Sequence, residues 1–145
     1  MSNTIPLISS GIAGPIGVLH LPRLWQKVSL DNAGKLNSDY PAIGAGYDQM
    51  VLDGLGIDKG AFEEFMKSKP TYPKLEAWVL EQKGGSLDKD AVTKLNASIV
   101  GYNHDDDTRK EILGASNIAD DGSILDAINL NNLDDWQCFH AQEIA

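Results

Sequence analysis

One cysteine, Cys138, stands in 145 residues, which excludes an internal disulfide framework and a cysteine-built zinc site. Histidine is nearly as scarce. His20, His104 and His140 form no H-E-x-x-H spacing, and the aspartates of "NHDDD" at 103–107 lack the alternating ligands and the glycine of a calcium loop. No metal is expected. Long apolar runs are missing as well: the N-terminal "IPLISSGIAGPIGVLHLP" has no positive start and is broken by Gly and Pro, unlike a signal peptide or a bilayer span. A cytoplasmic protein without membrane contact is expected. Basic charge is short in the last third, where residues 101–145 carry two Lys+Arg against ten Asp+Glu, within a net charge of −9. An acidic chain with no basic stripe repels phosphate backbones, so nucleic acid is not an expected partner. The acidic end reads as a solvated face, or else as a surface for a basic protein partner.

What the chain does have is helical periodicity. Its length suits one domain, residues 1–145, with 42% hydrophobic residues to build a core. Gly11, Gly14, Pro15 and Gly17 make residues 1–20 an irregular arm laid on that core, with at most a minor strand. Pro22 suits a first helical turn, and Leu21, Leu24, Trp25 and Val28 share one face of a helix running from about residue 22 into the low thirties. Tyr47, Met50, Val51 and Leu55 repeat that spacing, "GLGID" closes this helix, and Asp58 opens the next, with Phe62, Phe65 and Met66 as its buried face. "KPTYPK" reads as a turn before a helix through Leu75, Trp78 and Val79 that stops at "KGGS". Asp88 caps a helix through Val92, Leu95, Ile99 and Val100; "HDDDTRKEILG" suggests a short one; Leu130, Leu133, Trp136, Phe139 and His140 mark the last. No segment alternates with period two over strand length. The expected fold is all-α: a compact orthogonal bundle of about six or seven short helices with a Gly/Pro-rich N-terminal arm.

Three stretches, "LPRLWQKVSLDNAGKL", "GAGYDQMVLDGLGID" and "AFEEFM", resemble the bacterial domain-of-unknown-function family 5069 over roughly residues 20–82, with a weaker echo in "NLDDWQCFH" at 132–140. The matching positions are Leu21, Pro22, Arg23 and Lys27, then Gly46 and Asp48, then Leu55, Gly56 and Ile57. The resemblance implies a soluble, mainly helical bacterial domain and no particular activity.

Chemistry-bearing residues gather around the same positions. Arg23 and Lys27, four apart on a helix, project from one face and together could hold an anion, the guanidinium as a planar fork. Asp48 at a helix start could be a general base, with Tyr47 or Tyr40 donating a proton or orienting a substrate, and Trp25 could wall the pocket. The plain alternatives are a surface ion pair for the cations, the helix dipole for Asp48 and core packing for Tyr47 and the three tryptophans. Cys138, between aromatic neighbours, reads as packing. No cofactor is expected: "GAGYDQ" has Gln49 where a dinucleotide motif needs its third glycine, and "GIAGPIG" lacks the Lys-Ser/Thr of a phosphate loop. The expectation is a cofactor-independent acid/base enzyme acting on a small anionic molecule as lyase, isomerase or hydrolase. Its alternative is a non-catalytic helical binding or interaction module.

Overall fold

The computed structural model describes residues 3–145, and among them the regular structure is helical. Seven α-helices follow in order: α1 (Leu21–Asn32), α2 (Tyr47–Leu55), α3 (Lys59–Met66), α4 (Tyr72–Gln82), α5 (Lys89–Gly101), α6 (Asp106–Ala115) and α7 (Ala127–Phe139). The last continues into a wider π turn, His140–Ile144. The all-α expectation holds. The minor strand is reduced to isolated bridges, Thr4 with Leu36 and Ala13 with Leu19.

Capping places most helix starts where the aspartates fall. Asp58, Asp88, Asp105 and Asp126 each accept a backbone N–H from the first turn of the helix that follows, satisfying donors that have no partner within the helix. Helix α4 begins at Tyr72, inside the expected turn, because Pro73 fits a first turn. Gly56 ends α2 at φ +65°, the left-handed closure that a residue without Cβ adopts freely.

The apolar faces meet in one main cluster, with Leu21, Leu24 and Val28 of α1, Val51, Leu52 and Leu55 of α2, and Phe62 and Met66 of α3. Leu75 and Val79 of α4 and Leu95 and Ile99 of α5 complete it, while Ile112, Leu113 and Leu130 form a smaller cluster between α6 and α7. The three tryptophans are not core residues: Trp25 and Trp78 are half-buried and Trp136 is 57% exposed. On α7 the buried positions are Ala127, Leu130 and Asp135, so the helix turns a carboxylate inward and the neighbouring indole outward. Phe65 is half-buried too, stacked on Trp78 with ring centres 4.8 Å apart.

The arm has almost no ladder of its own, so side chains of the helices satisfy its backbone. Ile8 N–H donates to Gln26 of α1 (3.0 Å), Leu19 N–H to Asn96 of α5 (3.1 Å), and the Asn96 amide donates back to the Gly17 carbonyl (2.8 Å). Arg23 donates to the carbonyls of Pro6 (3.3 Å) and Ile8 (2.9 Å). These bonds lay the arm across the N-terminal end of α1, where His20 and Ser10 meet.

Candidate functional site

The residue that precedes α1 has an unusual backbone state. His20 has φ 70°, left-handed and costly for a side chain with Cβ, and its ring is 2% exposed. Three bonds hold it there. Its backbone N–H donates to the Ile12 carbonyl (3.1 Å), its Nδ1 meets Ser10 Oγ (2.9 Å), and its Nε2 meets Asp48 Oδ1 (2.6 Å). Burial lowers the His20 pKa, and the bond to Asp48 only partly opposes it. Burial raises the Asp48 pKa, but the His20 hydrogen bond and the Lys27 charge outweigh it, so Asp48 lies below the ordinary carboxylate value and is ionised near neutrality. An ionised carboxylate only accepts. Nε2 therefore carries the proton of a neutral imidazole, and Nδ1 accepts from the Ser10 hydroxyl.

The second Asp48 oxygen, Oδ2, accepts from the Gly44 N–H (2.8 Å) and from the Lys27 ammonium. Lys27 is 6% exposed, and burial, ahead of the opposing Asp48 charge, lowers its pKa. One buried chain results: Ser10, His20, Asp48, Lys27. Its hydrogen-bonding order contains serine, histidine and aspartate, but Ser10 is fully buried and does not line the adjoining cavity, so no substrate has access to that hydroxyl.

That cavity, about 290 Å³, is bounded by His20, Lys27 and Asp48 on one side and by Tyr40, Tyr47, Tyr102, His104 and Asn131 on others, with Asp39 and Asp134 also on its wall. His104 and Asn131 are bonded to each other at 2.7 Å. Larger surface depressions exist, one of about 560 Å³ beside Lys83 and Asp88, but the ionisable groups lining it are exposed.

Of the residues singled out in the sequence, Asp48, Lys27, Tyr40, Tyr47 and Arg23 all reach the cavity wall, and Trp25 does not. Trp25 instead donates its indole N–H to the Pro70 carbonyl (3.0 Å) and packs edge-on against Tyr72, tying α1 to the start of α4. Arg23 does not approach Asp48 as an ion-pair partner. Its guanidinium grips Asp135 of α7 at both oxygens, 2.6 and 3.0 Å, and its remaining bonds go to the arm. Tyr40 joins that pair, donating to Asp135 Oδ1 at 3.0 Å. Tyr47 donates its hydroxyl to the Ile99 carbonyl, and burial raises its pKa above the ordinary tyrosine value. Burial likewise raises Tyr40, reinforced by the Asp135 charge.

Ser10 and Asp135 are not singled out by the sequence, and His20 and His104 are weighed there only as metal ligands. His20 had a legible signal in its place just before α1, three and seven residues ahead of Arg23 and Lys27. Asp135 lies 112 residues from Arg23, and nothing local announces that pair.

An all-helical domain with a buried histidine–carboxylate–lysine chain beside a small polar cavity is the class of protein that fold and site define. The chain belongs to the DUF5069 family, a domain of unknown function, whose model matches residues 13–135. That span includes the arm from Ala13 and reaches Asp135. No curated protein and no solved structure matches the chain.

Proposed function

We propose that the protein is a small-molecule enzyme working by cofactor-independent acid/base chemistry, with Lys27 and Asp48 as the reacting pair and His20 positioning Asp48. The observation that carries this reading is the burial of a lysine, an aspartate and a histidine in one hydrogen-bonded chain that also lines a cavity. Burying such groups costs several kcal/mol per ion unless each is well partnered, and a perturbed ionisable group in a concave site marks a candidate functional site.

The expected anionic substrate rested on two free cations. Arg23 is committed to Asp135 and Lys27 to Asp48, while Asp39 and Asp134 add carboxylates to the wall. The reading therefore keeps the acid/base chemistry and favours a neutral polar molecule over an anion. Tyr102, His104 and Asn131 would orient it, and the phenols of Tyr40 and Tyr47 serve the frame before the chemistry.

A thermal-shift screen with neutral polar metabolites and small anions tests this, since a ligand of the native state raises its melting temperature. Neutral hits that fail in His104→Ala, a half-buried cavity position, are the expected result; hits that are anionic and insensitive to the cavity would contradict it. An interaction module is the second reading, favoured by the exposed Trp136 (57%) and Ile144 (65%) at the acidic end. It predicts instead that Trp136→Ser abolishes recovery of a basic partner protein while leaving small-molecule hits unchanged.

A further inference from the structure

We propose that Lys27 acts as a nucleophile, forming an iminium ion with a small neutral ketone or aldehyde bound in the cavity. This deepens the active-site reading and rests on it.

Four observations carry the proposal. The chain has ten lysines, and the other nine are exposed; Lys27 alone is buried, at 6% exposure. A buried lysine could merely close a structural ion pair, but Lys27 also lines a cavity of about 290 Å³, which a purely structural pair has no need of. Its ammonium carries three protons and makes one hydrogen bond among the described residues, to Asp48, whereas the Arg23 guanidinium is spent on Asp135 and two arm carbonyls. Asp48 is itself immobilised from two further sides by His20 and the Gly44 N–H, so the amine is held to a fixed carboxylate.

Chemistry follows from this placement. A lysine ammonium shifts its pKa readily on burial, which is why buried lysines serve as Schiff-base nucleophiles. Burial lowers Lys27 from the ordinary lysine value and so raises its free-amine fraction. Asp48 accepts the proton that the ammonium gives up; the amine lone pair then forms the N–C bond at the carbonyl carbon. The C–O bond breaks as Asp48 returns its proton to the oxygen, which leaves as water with that proton and a second one from the nitrogen; one proton stays on nitrogen, so that ammonium plus carbonyl becomes iminium plus water. Charge and atoms balance with no co-reactant. The surplus carboxylates Asp39 and Asp134 disfavour a substrate carboxylate, and Tyr102, His104 and Asn131 supply hydrogen bonds for a hydroxyl or the departing oxygen.

The test is reductive trapping of the full-length protein with hydroxyacetone and cyanoborohydride at neutral pH, read by peptide mass mapping of every lysine. A parallel titration with hydroxyacetone alone follows backbone amide shifts in the NMR spectrum. The expected result is an adduct that appears on Lys27 ahead of the nine exposed lysines, a lead that vanishes in urea. Adducts confined to exposed lysines, with amide shifts at the cavity residues, would overturn the iminium step and leave the acid/base reading standing. Neither an adduct at Lys27 nor shifts at the cavity would remove both. Because the comparison is made within the wild-type chain, it does not depend on a Lys27 variant folding.

Discussion

At the scale of single residues, the molecule commits its rare charges inward. Arg23 is one of two arginines, and it is buried at 5% exposure with both arms of its fork on Asp135. Removing one partner of such a pair leaves an uncompensated buried charge and typically costs about 3–5 kcal/mol. Arg23→Ala is therefore expected to lower the unfolding free energy measured in urea by that order. Arg23→Lys should recover only part of the loss, because an ammonium cannot reproduce the two-pronged contact. His20 gives a pH prediction. Its folded pKa lies below the ordinary 6.5, so the unfolded chain takes up a proton first as pH falls. Stability contributed by the neutral ring is complete above pH 6.5 and declines as pH drops from there toward the lowered folded value. Asp48 adds a second decline: its folded pKa is below the ordinary 3.8, so the stability it contributes above that value is lost as pH falls through the folded one. Chemical denaturation across pH 4 to 8 should show the first slope in the wild type and a flatter one in His20→Gln, a window set by the ordinary value of 6.5.

At the scale of elements, α2 is pressed against α5, and the contact is set by a residue without a side chain. A Cβ on Gly54 would stand 2.6 Å from a Leu95 methyl and 3.0 Å from its other methyl. Gly54→Ala gains in helix propensity but must displace a core leucine. Overpacking of that kind costs about 1–3 kcal/mol, so a net loss is expected in a thermal melt. Caps carry a smaller share: Asp58→Ala removes the acceptor of the Ala61 N–H and should cost about 1 kcal/mol. The elements are also where the sequence was most readable. Aspartate caps, Pro22 and Gly56 mark boundaries through local sterics and local hydrogen bonds, and the 3.6-residue period of Leu21, Leu24 and Val28 records which face is buried. Asp48 and Lys27 could be suspected from residue type and helix position. Their bond to each other spans 21 residues, and Asp48's bond to His20 spans 28, so their juxtaposition depends on how α1 meets α2. Trp136 shows the limit from the other side: its spacing fits a buried stripe, yet the partner that α7 must offer inward is Asp135, because the Arg23 fork waits there.

For the whole molecule, side-chain pairs join distant parts of the chain. The arm reaches His20 through Ser10, α7 reaches α1 through Asp135, and the C-terminal turn returns to the arm where the Gln142 amide donates to the Asn3 carbonyl. The acidic end follows a different logic. Arg109, one of its two cations, already holds Asp106 and Asp120, while burial and the Asp135 charge raise the Asp134 pKa at the cavity wall. The site thus keeps a neutral imidazole, an ionised carboxylate and a buried lysine within one chain, bordered by carboxylates and phenols. On this account the amine is the chemically live group. The most direct measurement is an NMR titration of the ten lysine side-chain ammonium and adjacent methylene signals in the folded protein, with Lys27 assigned by its absence in Lys27→Arg. Lys27 titrating below the ordinary 10.5 is the predicted result. Lys27 titrating together with the others, or above them, would mean that Asp48 simply holds a structural ammonium, and would contradict the account.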